Sequence, residues 1–90
     1  MKNKIFQPGT ILHEVIVGAL RAKGTSLAGW CHQNEINLAS AKSATFGQSG
    51  GDRGKAILQA MIEEAGPEVV EAAYRKRMLM EAEKLAGAAA

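Results

Sequence analysis

Few residues in this sequence can do chemistry. Cys31 and His32 stand side by side, with His13 far upstream. A structural or catalytic zinc needs three or four ligands at helical or turn spacing, and no such set exists here. Nucleophilic catalysis needs a base beside the nucleophile and a third group that orients it, and Cys31 has neither in any recognisable spacing. Cys31 therefore reads as a small core residue and His32 as an exposed one. The stretch GQSGGDRGK, Gly47 to Lys55, carries glycines and a Gly-Lys pair. A phosphate-cradling loop runs Gly, four residues, then Gly-Lys-Ser/Thr. Counting back from Gly54-Lys55 puts Ser49 where the first glycine belongs, and Ala56 falls on the hydroxyl position. The stretch reads as a flexible basic loop that can touch a phosphate without holding a nucleotide. Glu63-Glu64 and Glu81-x-Glu83 read as solvated faces rather than acid/base pairs. The expectation is a non-enzyme with no cofactor and no metal.

A different chemistry, that of close approach and hydrogen bonding, is offered by WCHQNEINLASAKSATFG, Trp30 to Gly47. After the polar Asn34-Glu35-Ile36-Asn37 comes a run of small residues: Ala39, Ser40, Ala41, Ser43 and Ala44, with one lysine, Lys42. A helix that only fills a core would carry Leu and Ile. A helix with short polar side chains can lie deep in a major groove about 12 Å wide and reach base edges.

The elements that must position this run can be read in order. Residues 1–9 form an arm, with Lys2, Asn3 and Lys4 ahead of Ile5 and Phe6, which pin it to the body. Thr10 serves as a helix N-cap. Leu12, Val15, Ile16, Ala19 and Leu20 recur at helical spacing, and Gly24 stops that helix, with Arg21 and Lys23 suiting its C-terminal dipole. Thr25 or Ser26 caps a short second helix whose inner face is Leu27, Trp30 and Cys31. Ile36 plugs the angle to a third helix, capped by Asn37 and stopped by Gly47. Gln48 to Gly54 reads as loop. A fourth helix starts near Lys55, with Ile57, Leu58, Met61 and Ile62 inside, and ends at Gly66. Pro67 opens a fifth, with Glu68 and Glu71 early and an end near Leu85. The class is all-α with about five helices. The divisions are an arm over 1–9, a helix-turn-helix domain over 10–66 and a C-terminal helix over 67–90.

Two short helices joined by a tight turn make a helix-turn-helix when small and apolar positions fall correctly. Cys31 is the small residue at the crossing, Ile36 the plug, and Ala41 and Ala44 the inward residues of the third helix. Asn37, Ala39, Ser40, Lys42 and Ser43 remain toward solvent or flank it. On these residues Gly24 to Gly47, with the preceding ALRAKG, resembles the lambda-repressor-like helix-turn-helix domains, and among them the small Ner-like and Cro-like regulators of phages and mobile elements. The resemblance covers about residues 10–66. It implies a sequence-specific DNA-binding regulator, often a repressor, with its recognition helix at about 37–46. Asn37, Ala39, Ser40, Lys42 and Ser43 would then read bases. Thr25, Ser26, Gln48, Arg53 and Lys55 would hold the DNA backbone, and Lys2 and Lys4 would follow a groove. The family usually has glycine just before the plug. This chain has Glu35 there, so either Asn34 takes the left-handed conformation or the turn differs.

Composition agrees with a small helical domain. The chain has 90 residues, four aromatics and a net charge of +2, which permits a nucleic-acid partner without demanding one. One cysteine excludes an internal disulfide and suits a reducing cytoplasm. No apolar run approaches the ~20 residues of a membrane span. In the fifth helix, Val69, Val70, Ala73, Tyr74, Met78, Leu79, Met80, Ala82 and Leu85 spread around more than one side, so it should touch more than one neighbour. Tyr74, Met78, Leu79 and Met80 are expected at a homodimer interface. The alternative is an interaction module whose partner is another protein and which touches no DNA. Lys42, Arg53 and Lys55 favour DNA, whereas Glu35 and the low net charge favour the alternative.

Overall fold

A computed structural model describes residues 6–48 and 51–89 of the chain. Among them five helices follow one another and no strand occurs: α1 Thr10–Ala22, α2 Leu27–Gln33, α3 Leu38–Phe46, α4 Asp52–Ala65 and α5 Pro67–Ala89. The all-α reading with about five helices holds. No helix among the described residues is long and apolar enough to cross a membrane. Lys2, Asn3, Lys4 and Ile5, expected in the arm, lie outside the described residues.

α1 is the centre of the packing. Leu12, Val15, Ile16, Ala19 and Leu20 form its buried stripe. Leu27, Trp30 and Cys31 of α2, Ala41 and Ala44 of α3, Ile57, Met61, Ile62 and Ala65 of α4, and Val70 and Tyr74 of α5 close around it. Burying such side chains stabilises by about 1.5–3 kcal/mol each for the larger aliphatic ones. Lys23 ties α1 to α4 as well: its ammonium donates to the Glu64 carbonyl at 2.6 Å, satisfying an otherwise orphan group of the last turn.

Three turns share one hydrogen-bond pattern, which closes the C-terminal ends of α1, α2 and α3. After α1, Gly24 N–H bonds Arg21 C=O and Thr25 N–H bonds Leu20 C=O, with Gly24 at φ 88. After α3, Gly47 and Gln48 repeat the pattern onto Ala44 and Ser43, with Gly47 at φ 81. This is the Schellman closure, which places a left-handed residue just past the helix. Between α2 and α3 the same two bonds run from Glu35 to His32 and from Ile36 to Cys31. The left-handed residue there is Glu35 itself, at φ 56. Asn34 stays right-handed, with φ −102, as the C-cap of α2. The turn thus has the glycine-type geometry without the glycine.

Several boundaries differ from those expected. The N-cap of α1 is Gly9, with no side-chain bond, and Thr10 is the first helical residue. α4 begins at Asp52, not near Lys55, so Asp52, Arg53 and Gly54 are helical. Asp52 in the first turn suits the dipole, and the buried Gly54 offers no side chain that would hold α3 away. α5 runs on to Ala89, past Leu85, because alanine sustains a helix without tertiary support. Residues 6–9 are also less free than an arm. Phe6 meets Tyr74 edge to face at 5.5 Å, Gln7 N–H donates to the Tyr74 hydroxyl at 3.0 Å, and Gly9 N–H donates to Thr45 C=O at 2.8 Å.

Candidate nucleic-acid interface

α3 is seated by size, since polarity barely distinguishes its two sides. Ala41, Ala44 and Thr45 are buried, and nothing larger would let α3 lie so close to α1. Thr45 is the one buried polar residue among those described. Its hydroxyl donates to Lys42 C=O at 2.9 Å, the local back-bond that lets threonine sit inside a helix. The opposite side carries Ala39, Lys42, Ser43 and Phe46 at i, i+3, i+4 and i+7. Ala39 and Lys42 are exposed, and Ser43 and Phe46 are half-buried at the rim. Leu38, in the first turn, is also exposed. Charge on this side comes from Lys42, with the exposed Glu35 at the turn.

The expected reading residues separate accordingly. Ala39, Lys42 and Ser43 share the outward stripe. Ser40 does not: it is half-buried and lines a crevice with Gly51, Arg53, Gly54 and Ile57, turned toward α4. Asn37 is exposed, but its Oδ1 accepts from Ala39 N–H at 2.8 Å and Ser40 N–H at 3.4 Å. It caps α3, leaving only its amide NH2 free. At α2, Ser26 Oγ accepts from Gly29 N–H at 3.0 Å and keeps its own proton for another acceptor. Thr25 is half-buried beside it. Gln48 is exposed just after α3. Arg53, expected on a loop, and Lys55, expected at the start of the helix, are both in the first turn of α4, about 200° apart around the helix. Arg53 borders α3 at the Ser40 crevice.

Two residues of this surface escaped the sequence reading. His13 reaches from α1 to the end of α3: its Nδ1 lies 2.8 Å from Thr45 Oγ1, and its ring stacks on Phe46 at 4.3 Å between centroids. Leu38 gives no signal in the sequence because it sits between a cap and an alanine run. The signal for His13 was its place beside the Leu12–Ile16 stripe, where an edge residue meets the neighbouring helix. His32 is exposed and Cys31 buried, as expected, and burial pushes the Cys31 thiol up. Among the described residues no cluster of three or more His, Cys, Asp or Glu could hold a metal.

The expected dimer residues also divide. Tyr74 is buried within the chain, its hydroxyl and ring engaged by Gln7 and Phe6, so it belongs to the core. Val70, Ala73, Tyr74 and Arg77 face the body, and Arg77 pairs with Glu14 of α1 at 2.9 Å. Met78, Ala82 and Leu85 fall within about 60° of one another at 100° per residue, with Leu79 on their solvent side. Leu79 and Leu85 are 66% and 72% exposed, more than any other large apolar residue described. Met80 lies about 200° from Met78 and cannot share a helix face with it. Met78 and Leu79 join Tyr74 and Arg75 in an apolar groove.

No family model, curated protein or solved structure matches this chain.

Proposed function

We propose that the chain is a sequence-specific DNA-binding transcriptional regulator, with α3 entering the major groove and two copies acting together. The observation that carries this reading is the division of α3 by size. Its inner side is buried alanine and threonine, and the middle of its outer side holds only Ala39, Ser43 and the flexible Lys42, with Leu38 and the half-buried Phe46 at the two ends. Lys42 can donate to guanine O6 and N7, Ser43 can donate to or accept from a base edge, and Leu38 and Ala39 can meet a thymine methyl. The free Ser26 hydroxyl proton, Thr25, Gln48 and Arg53 supply phosphate contacts, which position the protein without reading sequence. One short helix reads only a few base pairs, so two copies must pair on half-sites. The exposed Met78, Leu79 and Leu85 of α5 suit that pairing. Such a regulator works in the cytoplasm or nucleoid.

A second reading, a module that binds another protein and no DNA, is favoured by the same apolar side of α5 and by Glu35 beside α3. The experiment that separates the two is binding to labelled genomic duplex fragments at rising salt. DNA binding gives log affinity falling against log salt with a slope of about −0.9 per phosphate neutralised. Association that ignores salt, or none at low salt, favours the second reading.

A further inference from the structure

We propose that a duplex phosphate flanking the base edge that Lys42 reads is bound by His13 through its Nε2–H, so that DNA binding takes up a proton at His13. This rests on the DNA-binding reading above. It adds a residue of α1 to a surface otherwise built from α2, α3 and the start of α4.

The geometry fixes where that proton can go. Thr45 Oγ1 has one hydrogen and two close partners, Lys42 C=O at 2.9 Å and His13 Nδ1 at 2.8 Å. Both contacts are satisfied when the Thr45 hydroxyl donates to the carbonyl and His13 Nδ1–H donates to the hydroxyl. In that arrangement Nδ1 keeps its proton in both charge states, and titration occurs at Nε2. Among the described residues no buried side-chain nitrogen or oxygen lacks a partner, and the bond to Thr45 uses only Nδ1. Nε2 is thus not fully buried on the half-buried ring. Stacking on Phe46 holds the ring at the end of the outward stripe of α3, beside Lys42.

Neutral His13 shows a lone pair at Nε2, which repels a phosphate oxygen. The imidazolium shows an N–H that donates to it. In the free protein, partial burial and then the Lys42 charge lower the proton affinity of His13, while Glu14 raises it less. Glu14 is itself held by Arg77 of α5, and residues 6–9 bring no charge. A phosphate at this place offsets the Lys42 charge and adds an acceptor, and both changes favour the imidazolium. Binding should therefore tighten as pH falls through the range between the free and bound pKa values.

The test is calorimetry of the full chain with a duplex of mixed sequence at low salt, in two buffers of different ionisation enthalpy near pH 6.5. The His13 ring is followed by NMR titration with and without the duplex. The expected result is net proton uptake, an upward move of the His13 midpoint on binding, and affinity rising by up to about tenfold per pH unit on acidification. His32→Gln should keep all three, and His13→Gln should lose the pH dependence while still binding at pH 7.5. Binding without proton uptake, or with an unmoved His13 midpoint, overturns this inference and leaves the DNA-binding reading intact. No duplex binding at any pH overturns both. The NMR titration uses the unaltered chain, so the outcome does not hang on whether His13→Gln folds.

Discussion

Replacing Glu35 by glycine should make the protein more stable. Glu35 holds φ 56, a region that costs an L-residue about 1–2 kcal/mol and glycine almost nothing. Glycine forfeits part of that gain, because its unfolded chain is freer by about 0.4–1 kcal/mol. No side-chain hydrogen bond or ion pair of the exposed Glu35 occurs among the described residues, so nothing else is lost. The net is a stabilisation of about 0.5–1 kcal/mol, which for a domain of this size raises Tm by roughly 2–6 °C. Glu35→Ala is the control, since alanine removes the charge but keeps the Cβ that clashes in this conformation, and its stability should stay near that of the parent. The assay is urea unfolding followed by circular dichroism, with unchanged m-values required for the comparison. If Glu35→Gly destabilises, or if alanine stabilises as much as glycine, the turn is not strained at Glu35 and the reasoning fails. Because both variants remove a carboxylate beside α3, both should also bind duplex DNA more tightly.

Gly24 and Gly47 are both left-handed, but a Cβ at Gly24 meets open space while one at Gly47 lies 3.0 Å from Pro8 Cβ. Denaturant midpoints should show Gly24→Ala costing about 1 kcal/mol and Gly47→Ala roughly 2, and equal costs would mean that residues 6–9 do not pack on α3. Tyr74→Phe should cost about 0.5–1.5 kcal/mol through the unpaired Gln7 amide and leave the oligomeric state unchanged; a change of state in sedimentation would return Tyr74 to an interface. Leu79→Glu should yield a folded monomer, whereas Met80→Glu, on another side of α5, should sediment like the parent. The reverse outcome would place the pairing surface on the Met80 side.

The caps of α2 and α3 and the stops of α1, α3 and α4 are legible in the sequence because each has a local cause. Ser26 and Asn37 cap through their own side chains, and Gly24, Gly47 and Gly66 take positive φ. The sequence reading missed the start of α4 because Gly54 reads as a loop residue, yet is buried inside the helix. It placed Ser40 on the reading surface because α3 has no hydrophobic side: with alanine and serine all round, periodicity cannot say which way the helix turns. It put Tyr74 at an interface because the partners that bury it, Gln7 and Phe6, lie more than 60 residues away along the chain, as the separation of 67 for the Gln7 bond shows. His13 was invisible for the same reason, since its meaning comes from Thr45 and Phe46 across the helix packing.

Selection of bound duplexes from a random-sequence pool tests the central claim most directly. The account predicts enrichment of a short two-fold-related motif with half-sites about one helical turn apart. It also predicts that Lys42→Ala weakens binding to the selected site by roughly 1–3 kcal/mol with little change in Tm, since Lys42 is exposed. A pool that emerges with no sequence enriched, or a Lys42→Ala variant that binds the selected site as well as the parent, would contradict it.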